Sequence, residues 1–208
     1  MYIVFEGIVG SGKSTQSKRL VEFLRQTYPD REVIYVREPG STPIAEEIRT
    51  LAQAKEWETE AMHPLTNAYL YAAARAQTLH TVVRPALEAG KIVVSDRSFL
   101  SSCAYQGEAQ WLGINTILSI NHEAIQGIIP DQVIYMDIDV ETSLSRTFDA
   151  VGDKWEKMGK SFFESIVRGY TQCSQLDMMK DRFFRIDATG SPDEIFERIK
   201  KVVLYSYL

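Results

Sequence analysis

Short apolar runs alternate along this chain with longer stretches in which apolar positions recur at helical spacing. The runs Tyr2–Phe5, Glu32–Val36, Ile92–Ser95, Gln132–Met136 and Phe183–Ile186 are short and largely apolar, as strands covered on both faces are. Between them the helical period gives Ser14–Thr27, which carries Leu20, Val21, Phe23 and Leu24, and Pro43–Lys55, with proline at a first helical position. Met62–Ala89, Ser161–Met179 and Pro192–Val203 are further helices, the last opening on Ser191-Pro192-Asp193-Glu194 with acidic residues in its first turn. This alternation predicts an α/β fold, a parallel five-stranded sheet with helices on both faces. Ligands of such sheets bind beyond the carboxyl ends of the strands. That rule singles out Gly7–Ser14, Arg37-Glu38-Pro39-Gly40, Asp96-Arg97 and Asp137-Ile138-Asp139.

Composition narrows the picture. A chain of 208 residues, 45% hydrophobic, suits one domain spanning 1–208. A net charge of -5 argues against nucleic acid or an anionic membrane as partner, so any cations that handle phosphate must be local. No stretch approaches the roughly twenty apolar residues of a membrane span, and the first residues carry no basic leader, which predicts a cytoplasmic protein. Cys103 and Cys173 have no metal spacing and read as packing residues. His63, His80 and His122 read as surface or helix-packing residues, Trp57 and Trp111 as packing anchors.

Gly7-Ile-Val-Gly10-Ser11-Gly12-Lys13-Ser14 matches the pattern G-x-x-x-x-G-K-[ST]. Glycines let the backbone wrap around phosphate, and the following helix adds its positive end. Lys13 would reach the β- and γ-phosphates of ATP, and Ser14 would take a place on Mg²⁺. Asp96, ending a strand beside this loop, is placed to hold Mg²⁺ or its waters or to orient the acceptor, with a structural helix cap as the plainer alternative.

The run Phe5 to Gln16 resembles the opening of thymidylate kinases. So do Arg37-Glu-Pro-Gly-Ser-Thr42 with Ile48-Arg49, Leu70-Tyr-Ala-Ala-Ala-Arg-Ala-Gln77, and Asp96-Arg-Ser-Phe-Leu-Ser-Ser-Cys-Ala-Tyr-Gln-Gly107. The resemblance implies the three-layer P-loop kinase fold, with a short lid at about 149–160, and transfer of phosphate from ATP-Mg²⁺ to dTMP in a homodimer. It implies Gly7, Gly10, Ser11, Gly12, Lys13, Ser14, Thr15 and Arg146 on ATP, with Arg146 against the adenine. Arg37, Arg49 and Arg97 would take the acceptor phosphate, using a planar fork that suits phosphate oxygens, with Pro39 a further substrate contact. Tyr71 and Arg75 share a helix face and would stack on thymine and bond its carbonyl; Ser101 and Ser102 would meet the base edge, Tyr105 the deoxyribose, with Gln106 a further contact. Lys13, Asp96, Arg97 and Lys154 form the expected catalytic set.

The chain departs from the family pattern at three places. Val9 stands where an acidic residue is usual against the substrate 3′-hydroxyl, and Ser41 stands where a second glycine is usual, which stiffens the turn. The lid carries Lys154 and Lys157 where arginines are expected, and lysine is a point charge rather than a fork. Val9, Glu6 and Asp96-Arg97-Ser98 also fit a deoxynucleoside kinase, but Arg37 and Arg49 argue for an acceptor that carries a phosphate. A P-loop switch without an acceptor leaves Tyr71, Arg75 and the arginine cluster without a job.

Overall fold

The computed structural model describes residues 1–54, 60–146 and 158–205. Five strands, β1 (Tyr2–Glu6), β2 (Val33–Arg37), β3 (Ile92–Asp96), β4 (Gln132–Asp137) and β5 (Phe183–Asp187), form one parallel sheet in the order β2-β3-β1-β4-β5. Ile3, Val4, Ile92, Val93, Val94, Val133 and Ile134 are completely buried, because β-branched side chains fill a pleated surface that helices cover on both faces.

The helices are α1 (Lys13–Thr27), α2 (Pro43–Ala52), α3 (Pro64–Thr78), α4 (Arg84–Glu88), α5 (Phe99–Ser102), α6 (Ile114–Ile125), α7 (Val140–Ser145), α8 (Lys160–Cys173) and α9 (Pro192–Tyr205). The rod expected over Met62–Ala89 is α3 and α4 joined by a π-helical stretch, Leu79–Val83, in which the Arg84 N–H reaches back to the Leu79 carbonyl. Pro85 has no N–H with which to close an α-turn, and the helix widens just before it. The helix expected over Ser161–Met179 ends at Cys173, with a separate 3₁₀ turn at Asp177–Met179. The apolar period alone does not mark α5, α6 or α7.

Every strand runs one residue beyond its predicted end, onto Glu6, Arg37, Asp96, Asp137 and Asp187. Asp96 is in register with Phe5 on one side and Arg37 on the other. Three of these charged termini therefore meet at one edge of the sheet. From β1 the chain crosses toward β2, and from β4 it crosses toward β5 on the other side. A crevice is expected where such connections diverge.

Candidate active site

A cavity of about 430 Å³ opens at that edge. One wall is the loop between β1 and α1. Gly7 passes so close to β4 that a Cβ there would sit 2.9 Å from the Met136 carbonyl oxygen, and its φ of 142° suits only glycine. α1 starts with no side-chain cap and no acidic residue in its first turn, so the positive end of its dipole faces the cavity uncompensated. Lys13, lining the cavity, donates to the Ile8 carbonyl at 2.7 Å. The Ser14 hydroxyl donates to a carboxylate oxygen of Asp96, and both side chains line the cavity. Gly10, Gly12, Thr15 and Arg146 complete this side; Arg146 donates to the Ala188 carbonyl at 3.4 Å. The helix cap after β3 is Ser98 rather than Asp96, which leaves Asp96 to the cavity.

The facing wall carries Arg37, Arg49 and Arg97 from three separate elements. Arg37 is held by Glu46, whose carboxylate oxygens lie 2.9 and 3.0 Å from its Nη2. Ser41 takes a φ of 75°, and its hydroxyl accepts the Arg37 N–H at 2.7 Å. This bond closes the turn after β2. Arg49 donates to the Pro39 carbonyl at 2.8 Å. Burial lowers the proton affinity of the Arg49 guanidinium, and the nearby charges of Arg37 and Arg97 lower it further. Those charges repel one another where an anion would relieve them. Arg97 sits at φ 79°, and its side chain reaches across to the Gly7 carbonyl at 3.3 Å. A left-handed backbone on a residue with a Cβ is strain of the sort that collects at functional sites.

The far end of the cavity is formed by Tyr71, Gln53, Ser101, Tyr105 and Gln106. Gln53 donates to the Tyr71 hydroxyl at 3.3 Å. Tyr105 lies under the Arg97 guanidinium, 5.1 Å from ring centre to Cζ, and edge-on to Phe162. Gln106 is 1% exposed; its Nε2 donates to Asn67 at 3.1 Å, while its Oε1 has no partner among the described residues. A buried acceptor of this kind is costly unless something else donates to it.

Four expected contacts are not on the cavity surface. Arg75 is 2% exposed and turned inward. It donates to Glu38 at 2.6 Å, Asn121 at 2.5 Å, the Ser98 carbonyl at 3.0 Å and Ser102 at 3.3 Å. Arg75 and Ser102 thus stand behind the wall that they were expected to form. Gly7 and Ser11 support the loop from beneath, with Ser11 fully buried. Lys154, Lys157 and most of the expected lid, and Trp57, lie outside the described residues. Trp111, expected as a packing anchor, is 82% exposed. Gln53 lines the cavity without having been singled out, and Glu38 lines it without having been given a role of its own. Glu38 was legible within the Arg37-Glu-Pro-Gly motif; Gln53 has no signal in the sequence.

Comparison with known proteins gives one answer. The thymidylate kinase family model matches residues 5–199. The thymidylate kinase of Finegoldia magna is 41% identical over 204 residues, covering 98% of this chain and 97% of its own. That of Thermosipho africanus is 38% identical over 203 residues, covering 98% and 97%. The crystal structure of thymidylate kinase from Ehrlichia chaffeensis matches with a TM-score of 0.78 at 26% identity, over 98% of each chain. With a phosphate loop and three converging arginines on opposite walls of one cavity, and with these relatives along its whole length, the chain belongs to the thymidylate kinase family.

Proposed function

We propose that this protein transfers the γ-phosphate of ATP to dTMP, giving dTDP. The observation that carries the reading is the opposition of two anion sites within one cavity: the phosphate loop with α1, and Arg37, Arg49 and Arg97. Two polyanions repel each other, so a phosphoryl transferase must bring cations to both. Lys13 and the first turn of α1 hold the donor, and the three arginines hold the acceptor phosphate in line with it. Arg97, reaching toward the Gly7 carbonyl, stands between the two and stabilises charge on the group in transit.

The Ser14–Asp96 pair fits Mg²⁺, a hard cation that takes oxygen ligands and keeps several waters. Among the described residues no group of three His, Cys, Asp or Glu could cage a metal, which suits an ion held by two protein oxygens together with phosphate. Mg²⁺, when bound, neutralises charge on the phosphate oxygens. Ser14 and Asp96 supply its fixed side.

Tyr71 gives the thymine a π-face, and Gln106, which lines the cavity where Arg75 does not, stands at the base edge. Tyr105 packs on the deoxyribose, with Ser101 beside it. Val9 lines the cavity with no acceptor on its side chain, so the 3′-hydroxyl is left to water or to backbone. Glu6 does not line the cavity, so it is out of reach of a nucleoside hydroxyl as a base. Homodimer formation is supported by exposed apolar side chains on two helices that pack together, Ile44 (58% exposed) and Leu51 (41%) on α2 and Tyr69 (57%) on α3, since exposed apolar surface calls for cover. No described helix is long and apolar enough to cross a membrane.

The test is a screen of nucleoside monophosphates and nucleosides as acceptors with ATP and Mg²⁺. dTMP is expected to be turned over and thymidine not. Turnover of thymidine alone would replace this reading with a nucleoside kinase.

A further inference from the structure

Arg97 has a long side chain on a strained backbone, and something must fix where its guanidinium points. The Arg97 N–H is held by the Phe5 carbonyl at 2.9 Å. Its Nη1 donates to Ser101 Oγ at 2.9 Å, to the Gly7 carbonyl at 3.3 Å and to Tyr170 Oη at 3.4 Å; its Nη2 donates to Tyr105 Oη at 3.4 Å. Beneath these hydroxyls lies Glu6, fully buried. One Glu6 oxygen accepts from the N–H and hydroxyl of Ser98, both at 2.8 Å, and from the Ser101 N–H at 3.2 Å. The other accepts from Ser101 Oγ at 2.6 Å and from Tyr170 Oη at 2.8 Å.

Tyr170 has one proton to give, and the Glu6 carboxylate at 2.8 Å takes it ahead of Ser101 Oγ at 3.0 Å and the Gly7 carbonyl at 3.4 Å. Donating it to Glu6 leaves only lone pairs toward Arg97. The hydroxyl is thereby fixed as an acceptor for a cation rather than a competitor with it. Burial, and then the charge of Glu6, push the Tyr170 hydroxyl pKa well up, so this proton stays in place. The geometry needs α8 close against the π-helical stretch Cys103–Ala109. Gly169 permits that, because a Cβ there would meet the Ala104 Cα at 2.7 Å.

We propose that Tyr170, anchored by Glu6, is the positioning residue that aims the Arg97 guanidinium into the cavity. Tyr170 is absent from the cavity wall and acts through Arg97. The proposal rests on the reading of Arg97 as the contact to the acceptor phosphate.

Tyr170→Phe keeps the ring packing and removes only the hydroxyl. The variant is expected to lose about three- to ten-fold in kcat, the worth of one hydrogen bond, with KM for ATP and the melting temperature close to wild type. Calorimetric titration with dTMP then compares Tyr170→Phe, Arg97→Ala and the double variant, and needs no turnover. Loss of affinity from Tyr170→Phe that disappears in the Arg97→Ala background supports the proposal. Equal losses in both backgrounds, or none in either, overturn it. Glu6→Gln is expected to repeat the pattern, and gives the same cycle should Tyr170→Phe not fold. A wild-type protein inert toward dTMP would instead remove the functional reading, and this proposal with it.

Discussion

Arg75 Nε lies 2.6 Å from Glu38 Oε2, with both side chains almost wholly excluded from water. The pair ties α3 to the end of β2, and Arg75 extends it to Asn121 on α6 and to the Ser98 carbonyl. Removing one member of a buried ion pair strands the other, at a cost of about 3–5 kcal/mol. Burial already pushes the Glu38 carboxyl pKa up, and Arg75 is what opposes that shift. Arg75→Ala is therefore expected to lower unfolding free energy in urea by about 3–5 kcal/mol. A variant as stable as wild type but with weakened dTMP binding would return Arg75 to the base-reading role its sequence position suggested.

Lys13 stands where the phosphate loop becomes α1. Lys13→Ala should reduce turnover with ATP and dTMP by at least about 10²–10³-fold, as loss of one preorganised charge does. Steady-state assay across ATP concentrations measures it. Activity near wild type would remove the phosphate-loop assignment.

Gly169→Ala tests the close approach of α8. The added methyl meets main chain, Ala104 Cα at 2.7 Å, rather than the end of a flexible side chain. Overpacking of this kind costs about 1–3 kcal/mol. Thermal unfolding is expected to show that loss. Activity should fall as well, since a displaced α8 carries Tyr170 away from Arg97.

Acid should loosen the turn after β2. The Ser41 N–H, and then Arg37, hold the Glu46 carboxyl below the ordinary glutamate value of 4.5. A carboxyl depressed in the folded state contributes stability that is complete above 4.5 and lost as pH falls through the lower, folded value. Glu46 is partly exposed, so the effect is small. Melting curves taken from about pH 6 to about pH 3 should fall less steeply for Glu46→Gln than for wild type. Parallel curves would show that Glu46 is not among the groups responsible.

The sheet was legible because its strands are apolar on both faces, and the glycine-lysine loop because its spacing has one common use. What apolar periodicity hid was the last residue of each strand. Glu6, Arg37 and Asp96 end apolar runs and look like the beginning of loops, yet they are paired strand termini, from which the site and its support are built. Arg75 shows the opposite limit. Its place on the Tyr71 face of α3 was correct, but a helical wheel does not say that Glu38, just after β2, waits behind that face. Tyr105 and Gln106 were found by resemblance. Their aim depends on a π-helical stretch, for which the sequence has no pattern as plain as that of a strand.

Glu46 already occupies Arg37 with a carboxylate, at the mouth of the acceptor wall. On our reading of the site, a phosphate arriving there does not meet bare charge; it shares Arg37 with an anion that the chain itself supplies, bound at Nη2. Its hold is then the net of an attraction and a repulsion rather than the worth of one ion pair. A doubly charged phosphate that also reaches Arg49 and Arg97 gains more than it loses. Chloride, or a stray carboxylate touching Arg37 alone, gains little. The same contact that steadies the resting turn thus weights the arginines toward a ligand that meets all three.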